Sequence, residues 1–325
     1  MGPNRREDDP YEDAYGDENE HEHDPPRARR RRVPARARAP ARAGSERQMG
    51  DSTSRTGTTV TAGTSDTTGI TGTAGTADTA EATVGFLYPG YSAEDDYPRL
   101  ESLIHDSGDP RAAGVRLPLV HTDMGTDAHR VDALLEMGAV HRLAAGVGEL
   151  KAAGARAVVW ACTSASFVYG WEGAGQQVAA LSEAAGLPAS STSFAFAHAV
   201  RELELSRVAI AATYPDDVAG LFAEFLKTAG AEVVGTRGSG IITAAEVGTW
   251  GREDVLRIAR EGDDPAAQAV LLPDTALHTA AWVAEVEEAL GKPVLTANQV
   301  TAWEGLRLLG RTVRVPALGA LFDRG

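Results

Sequence analysis

From Thr83 onward, short apolar runs alternate with longer amphipathic stretches, and no other feature of the 325-residue chain narrows its fold as much. The runs VGFLY (84–88), AVVWA (157–161), RVAIAAT (207–213), AEVVG (231–235), QAVLL (268–272) and PVLTA (293–297) are continuous rather than alternating. That is the pattern of strands buried on both faces. Helices are expected between them at 127–151, 174–185, 216–229, 252–261, 279–290 and 298–309. On the first of these, Leu134, Leu135, Gly138, Val140 and Leu143 form an apolar stripe at helical spacing, which is assigned to the core. Gly186, Gly230 and Gly291 each stand just past a helix, where a left-handed residue is wanted. Strands alternating with helices predict parallel sheet covered on both faces, an α/β fold.

Residues 1–82 break this pattern. They run from an acidic segment through an arginine block (PPRARRRRVPARARAPARAG) to a Thr/Gly/Ser/Ala tract. None of the three has the apolar content to offset the entropy of ordering, so a disordered tail is expected. The arginine block lacks interleaved aromatics and has an acidic neighbour, so it reads as solvated chain rather than a nucleic-acid or membrane tether. No apolar h-region follows it, so no secretory signal is expected, and Met49 offers a second start. A formal net charge of -15 works against a nucleic-acid or anionic-membrane partner. No apolar run approaches the roughly 20 residues of a spanning helix, and one cysteine excludes an intrachain disulfide. A soluble, cytoplasmic protein is the expectation.

Ligands of α/β folds bind beyond the carboxyl ends of the strands, so the residues that directly follow each strand carry the information. They are Pro-Gly-Tyr (89–91), Cys-Thr-Ser (162–164), Tyr-Pro-Asp-Asp (214–217) and Pro-Asp-Thr-Ala (273–276). The sheet edge thus collects a thiol, hydroxyls, a phenol and carboxylates. Nucleotide and hydrolase signatures are missing: there is no GxxxxGK[ST], no GxGxxG opening a helix and no GxSxG. His105, His121, His129, His141, His198 and His278 form no HxH or HxxxH pair, and Asp274 with His278 supplies too few ligands for a metal.

The stretch VVWACTSASFVYG (158–170), then TYPDDV (213–218), LLPDTALHT (271–279) and KPVLTANQVTAWEGLRL (292–308), resembles the maleate cis-trans isomerase and arylmalonate decarboxylase family of the aspartate/glutamate racemase superfamily. The resemblance covers residues 84–323. It implies two similar flavodoxin-like parallel-sheet halves related by a pseudo-twofold, with the active site in the cleft between them. The halves are expected at 83–204 and 205–305, with 306–325 returning to the first. It also implies a small carboxylate substrate, no metal or organic cofactor and, from family habit alone, a homo-oligomer.

Under the resemblance, Cys162 falls where isomerases and racemases carry their first cysteine and decarboxylases typically have glycine. Thr163, Ser164 and Tyr214 match the hydroxyl positions that cradle a carboxylate and its enediolate, and Thr275 and Pro89 complete the expected substrate contacts. Asp274 stands in place of the family's second cysteine, which is the main departure. Backbone N–H groups in a strand-to-helix turn are expected to lower the Cys162 thiol from about 8.5. A free cysteine after a strand is, however, often plain core. Asp274, ordinarily ionised above about pH 4, repels an anionic substrate unless protonated or paired. It is a candidate general acid or base, or merely a helix cap, and His278 either pairs with it or lies at the surface.

Three reactions suit a Cys/Asp pair. Isomerisation of a maleate-type substrate through a Cys162 adduct ranks first, followed by malonate decarboxylation with Cys162 as acid and by racemisation using both groups. A carboxylate-binding protein without turnover is the reading from another class. The segments 89–98 and 169–175 are expected to be loops that set substrate size. Trp171 is expected to cover the pocket or face a second subunit, and Glu94, Asp95 and Asp96 to form a solvated helix start.

Overall fold

The structure, a computed structural model, describes residues 81–324. The expected disordered tail therefore lies outside the described residues except for Glu81 and Ala82, and Ala82 already belongs to the first strand. Among the described residues, nine parallel strands form two sheets. The first contains β1 (Ala82–Pro89), β2 (Val115–Arg116), β3 (Leu119–Thr122), β4 (Ala157–Trp160) and β5 (Ala189–Ser191). The second contains β6 (Arg207–Ala212), β7 (Glu232–Gly238), β8 (Ala269–Leu272) and β9 (Val294–Thr296).

Their orders correspond. β2 and β3 are successive pieces of one strand beside β1, so the first sheet runs β3-β1-β4-β5 and the second β7-β6-β8-β9. In each, the order reverses beside the first strand, which places a crevice at the carboxyl ends of β1 and β4 and of β6 and β8. Every residue of β1, β4 and β8 is buried, the consequence of helices on both faces.

All six expected strands are present, while β2, β3 and β5 carried no legible signal. Leu117-Pro118 interrupts the strand shared by β2 and β3, because proline offers no N–H to the ladder. β5 is Ala-Ser-Ser, with no apolar run to find. Gly186 and Gly291 end their helices at φ +64° and +65°, as anticipated.

The 127–151 helix is instead two, Val131–Met137 and Val140–Ala152. Gly138 caps the first of them, at a place where a Cβ would strike the Ala165 carbonyl, and the Gln177 side-chain amide donates to the Gly138 carbonyl at 2.7 Å. Leu134 and Leu143 are core, but Leu135 and Val140 are exposed, so the stripe is narrower than expected. The segment 169–175 is not a loop, since a helix spans Gly170–Ala185. Trp171 packs on Phe194 and Phe225 of its own chain, with ring centroids 4.9 and 5.0 Å away.

The acidic cluster is only partly solvated. Asp96 is buried and accepts bonds from the amides of Thr279 (2.9 Å) and Ala280 (3.2 Å) and from the Asn298 side chain (3.0 Å), which joins it to the segment after β8. Beyond β9, the helix Ala297–Leu308 packs against the helix Thr192–Glu202 and against β1, where Gly305 meets Val84. Among the described residues, no helix is long and apolar enough to cross a membrane.

Candidate active site

The carboxyl ends of the central strands meet around a small cavity. It is lined by Tyr88 and Pro89 from β1, Cys162 and Ser164 after β4, and Asp274, Thr275 and Ala276 after β8. Met124, Asp127, His129, Leu134 and Met137 close one side, with Ser92 and Ala244 at other edges. The space amounts to about 20 Å³, and a water needs about 10–15 Å³ by the same measure. Gly90 helps to keep the turn above it tight: it sits at φ +67°, and a Cβ there would fall 2.8 Å from the Met124 sulfur.

Of the residues expected to contact substrate, Pro89, Cys162, Ser164, Asp274 and Thr275 line this cavity. Thr163 and Tyr214 stand behind its wall. The Tyr214 hydroxyl donates to the Pro273 carbonyl at 2.9 Å, which fixes the backbone that carries Asp274. Thr163 is wholly buried, and its hydroxyl has no hydrogen-bond partner among the described residues. Leaving such a group unmet costs about 1–3 kcal/mol. Thr275 contributes its carbonyl, which accepts from the Tyr88 hydroxyl (2.9 Å) and the Asn298 amide (3.1 Å).

The thiol's surroundings partly reverse the expectation. The Ala165 and Ser164 amides do favour the thiolate, and the Ser164 hydroxyl lies 3.8 Å from the sulfur. Burial outweighs them: with 4 % of Cys162 exposed, desolvation pushes the thiol up to about 12, and the Asp274 charge adds to the rise. Burial thus disfavours a resting thiolate at Cys162 in this closed cavity.

Asp274 is buried too, but well supplied with partners. One carboxylate oxygen accepts the Ala276 amide at 2.9 Å, and the other accepts a short bond from the Thr213 hydroxyl. His129 Nε2 lies 3.9 Å from that second oxygen, and its ring meets the Tyr214 ring edge-on at 4.8 Å. His278 does not join Asp274; it binds Asp95 at 2.7 Å. Burial holds the phenols of Tyr88 and Tyr214 far above the usual tyrosine range.

Sequence reasoning passed over His129, Asp127 and Tyr88. Tyr88 sits inside an apolar run and reads as core, although its place one residue before the strand end was a usable signal. His129 meets a residue that lies far along the chain, and no local spacing announces it.

Two parallel sheets bring a thiol and a carboxylate to one cavity at their carboxyl ends, where clefts of α/β enzymes lie. The model of the arylmalonate decarboxylase family matches residues 132–322, and the chain belongs to that family. An arylmalonate decarboxylase from Bordetella bronchiseptica is 32% identical over 214 residues, 64% of this chain and 87% of that protein. The crystal structure of a liganded double variant of arylmalonate decarboxylase aligns at 26% identity and a TM-score of 0.62, covering 75% of this chain and 99% of that one. A Nocardia farcinica maleate cis-trans isomerase variant, crystallised with a covalently bound succinylcysteine intermediate, shares the fold at 23% identity and a TM-score of 0.64, over 76% and all of the respective chains. The chain is thus a member of an enzyme family, and its fold is shared by maleate isomerases.

Proposed function

We propose that this protein is a cofactor-independent decarboxylase of small 2-substituted malonates and that Cys162 delivers the proton. One observation carries the reading: a buried thiol, pushed up to about 12 by that burial, and a hydrogen-bonded carboxylate line one cavity from the two sheets. In the proposed step the bond between the α-carbon and one carboxylate breaks, CO2 leaves, and the electron pair remains as an enediolate on the other carboxylate. The Ser164 hydroxyl, which lines the cavity, is the donor nearest to hand for that charge. The Cys162 S–H then protonates the α-carbon, and the thiolate recovers a proton from water. An acid that is still protonated at working pH suits this role.

The liganded relative supports the assignment. It exchanges a glycine for cysteine and a cysteine for serine, and the resemblance puts Cys162 at the family's glycine position and Asp274 at its cysteine position. The thiol is relocated in the same sense, so protonation is expected on the face opposite that used by decarboxylases with the second cysteine. Maleate-type isomerisation, ranked first from the sequence, is the second reading. It is favoured by the Ser164 and Ala165 amides, which stabilise the thiolate that addition to a double bond requires.

Proton NMR in D2O with phenylmalonate, methylmalonate, maleate and single-enantiomer aspartate, beside a Cys162→Ser control, separates the readings. Loss of CO2 with one deuterium at the α-carbon supports decarboxylation. Fumarate from maleate supports isomerisation instead, α-exchange in aspartate supports racemisation, and binding without consumption reduces the cleft to a carboxylate-binding site.

A further inference from the structure

On a chain of formal net charge -15, one face gathers arginines instead. The helices Thr192–Glu202 and Ala297–Leu308 pack together, and two depressions, of about 440 and 160 Å³, open beside their carboxyl ends. Both are lined by Glu202, Trp303, Arg307 and Arg324, so they form one groove. Buried Leu306, Val313, Leu321 and Phe322 make its apolar floor, and exposed Arg201, Arg307 and Arg324 stand at its rim.

Two of these guanidinium groups are already set in place. Arg307 grips the fully buried Glu304 carboxylate through Nε at 2.6 Å and Nη2 at 2.9 Å, and Arg324 Nη1 donates to the Glu202 carbonyl at 2.9 Å. Each keeps further N–H groups to offer. Arg201 has no hydrogen bond or ion pair among the described residues. Arg201 and Arg307 stand in the last turns of their helices, where a cation counters the macrodipole. That duty explains neither Arg324 nor the half-buried indole of Trp303 that lines both depressions. Glu202 and Glu204 share the groove and offset part of its charge, so it suits a singly charged group better than a polyanion.

We infer that this groove is a second ligand site, for a small molecule that joins one anionic group, a carboxylate or a phosphate, to an apolar ring or chain. The anionic group lies among Arg201, Arg307 and Arg324, whose planar donors match it, and the apolar body covers Trp303 and the floor beneath. Charge without the floor would hold the anion weakly, and the floor without charge would hold any apolar molecule. The groove shares no lining residue with the cavity that holds Cys162, so it stands whatever reaction that cavity performs.

The chain has five tryptophans, so fluorine NMR of the full chain labelled with fluorotryptophan, with Trp303→Phe to assign its resonance, reports on this groove separately. The probes are phenylacetate, phenyl phosphate, inorganic phosphate and benzyl alcohol. The Trp303 resonance should shift saturably with an aromatic anion, the first two probes telling which anionic group is preferred, and roughly tenfold less tightly with inorganic phosphate or benzyl alcohol. Arg201→Ala should weaken binding of the aromatic anion roughly tenfold, the worth of a lost charge-assisted bond. Added salt should weaken it as well, and Glu202→Gln should tighten it. Arg324→Gln repeats the measurement if Arg201→Ala fails to fold. Binding should persist in Cys162→Ser. No shift with any probe, benzyl alcohol binding as tightly as the anions, or full affinity in both arginine variants overturns the inference. A shift that vanishes in Cys162→Ser assigns the ligand to the cavity and overturns it too.

Discussion

The carboxyl ends of β4 and β8 occupy corresponding places in two sheets of the same strand order, yet they hold chemically opposite groups. After β4 comes a buried thiol, pushed up because burial outweighs two favourable amides. After β8 comes a carboxylate bound by an amide and a hydroxyl, with a histidine 3.9 Å away. A repeated fold supplies position, and the neighbours of each position set its chemistry.

Cys162→Ser strikes hardest at this division of labour. Loss of a positioned general acid should lower turnover roughly 10²–10⁴-fold, measured by NMR on protein whose circular dichroism is unchanged. Residual activity within tenfold of wild type would remove the thiol from the chemistry.

A carboxylate away from the cleft calibrates what pairing does to a buried acid. Burial works to raise Glu304, but bonds from Arg307 (2.6 Å) and Ser190 (2.7 Å), with His198 beside them, bring it down to about 2. Its folded value lies below the unfolded one, so its contribution is complete above about pH 4.5 and is lost as pH falls toward 2. Urea unfolding should show a loss of roughly 2–3 kcal/mol over that window that Glu304→Gln does not share.

Asp274→Asn should lower turnover only about tenfold, well short of the effect of removing a general acid. Activity as low as that of Cys162→Ser would make the two sides equal partners and favour racemase-type chemistry. Tyr214→Phe should do least. It forfeits the bond to the Pro273 carbonyl, about 1 kcal/mol in thermal unfolding, with turnover within about twofold. A larger loss of turnover would bring the phenol out from behind the wall to the substrate.

These contrasts also mark what the sequence could disclose. The strands that end at Trp160, Ala212 and Leu272 are apolar runs with local signatures, so Cys162, Tyr214 and Asp274 could be placed at one sheet edge without coordinates. Three-residue β5 and the broken strand of β2 and β3 left no such trace. The thiol's ionisation was misjudged because the amides are implied by a strand-to-helix turn, whereas the closure of Tyr88, Met124 and Met137 over it is not. His129 and Asp96 act through contacts with residues distant in the chain, and the Ala165 carbonyl that meets Gly138 belongs to a later segment.

Because Cys162 is the chain's single cysteine, its proposed role as an acid is directly measurable. The ultraviolet absorbance of the thiolate, taken as wild type minus Cys162→Ser across pH, should stay flat through neutrality and rise only toward the alkaline limit of the fold, consistent with a thiol held near 12. A thiolate already formed at neutral pH would contradict the account and return the site to nucleophilic addition and isomerisation.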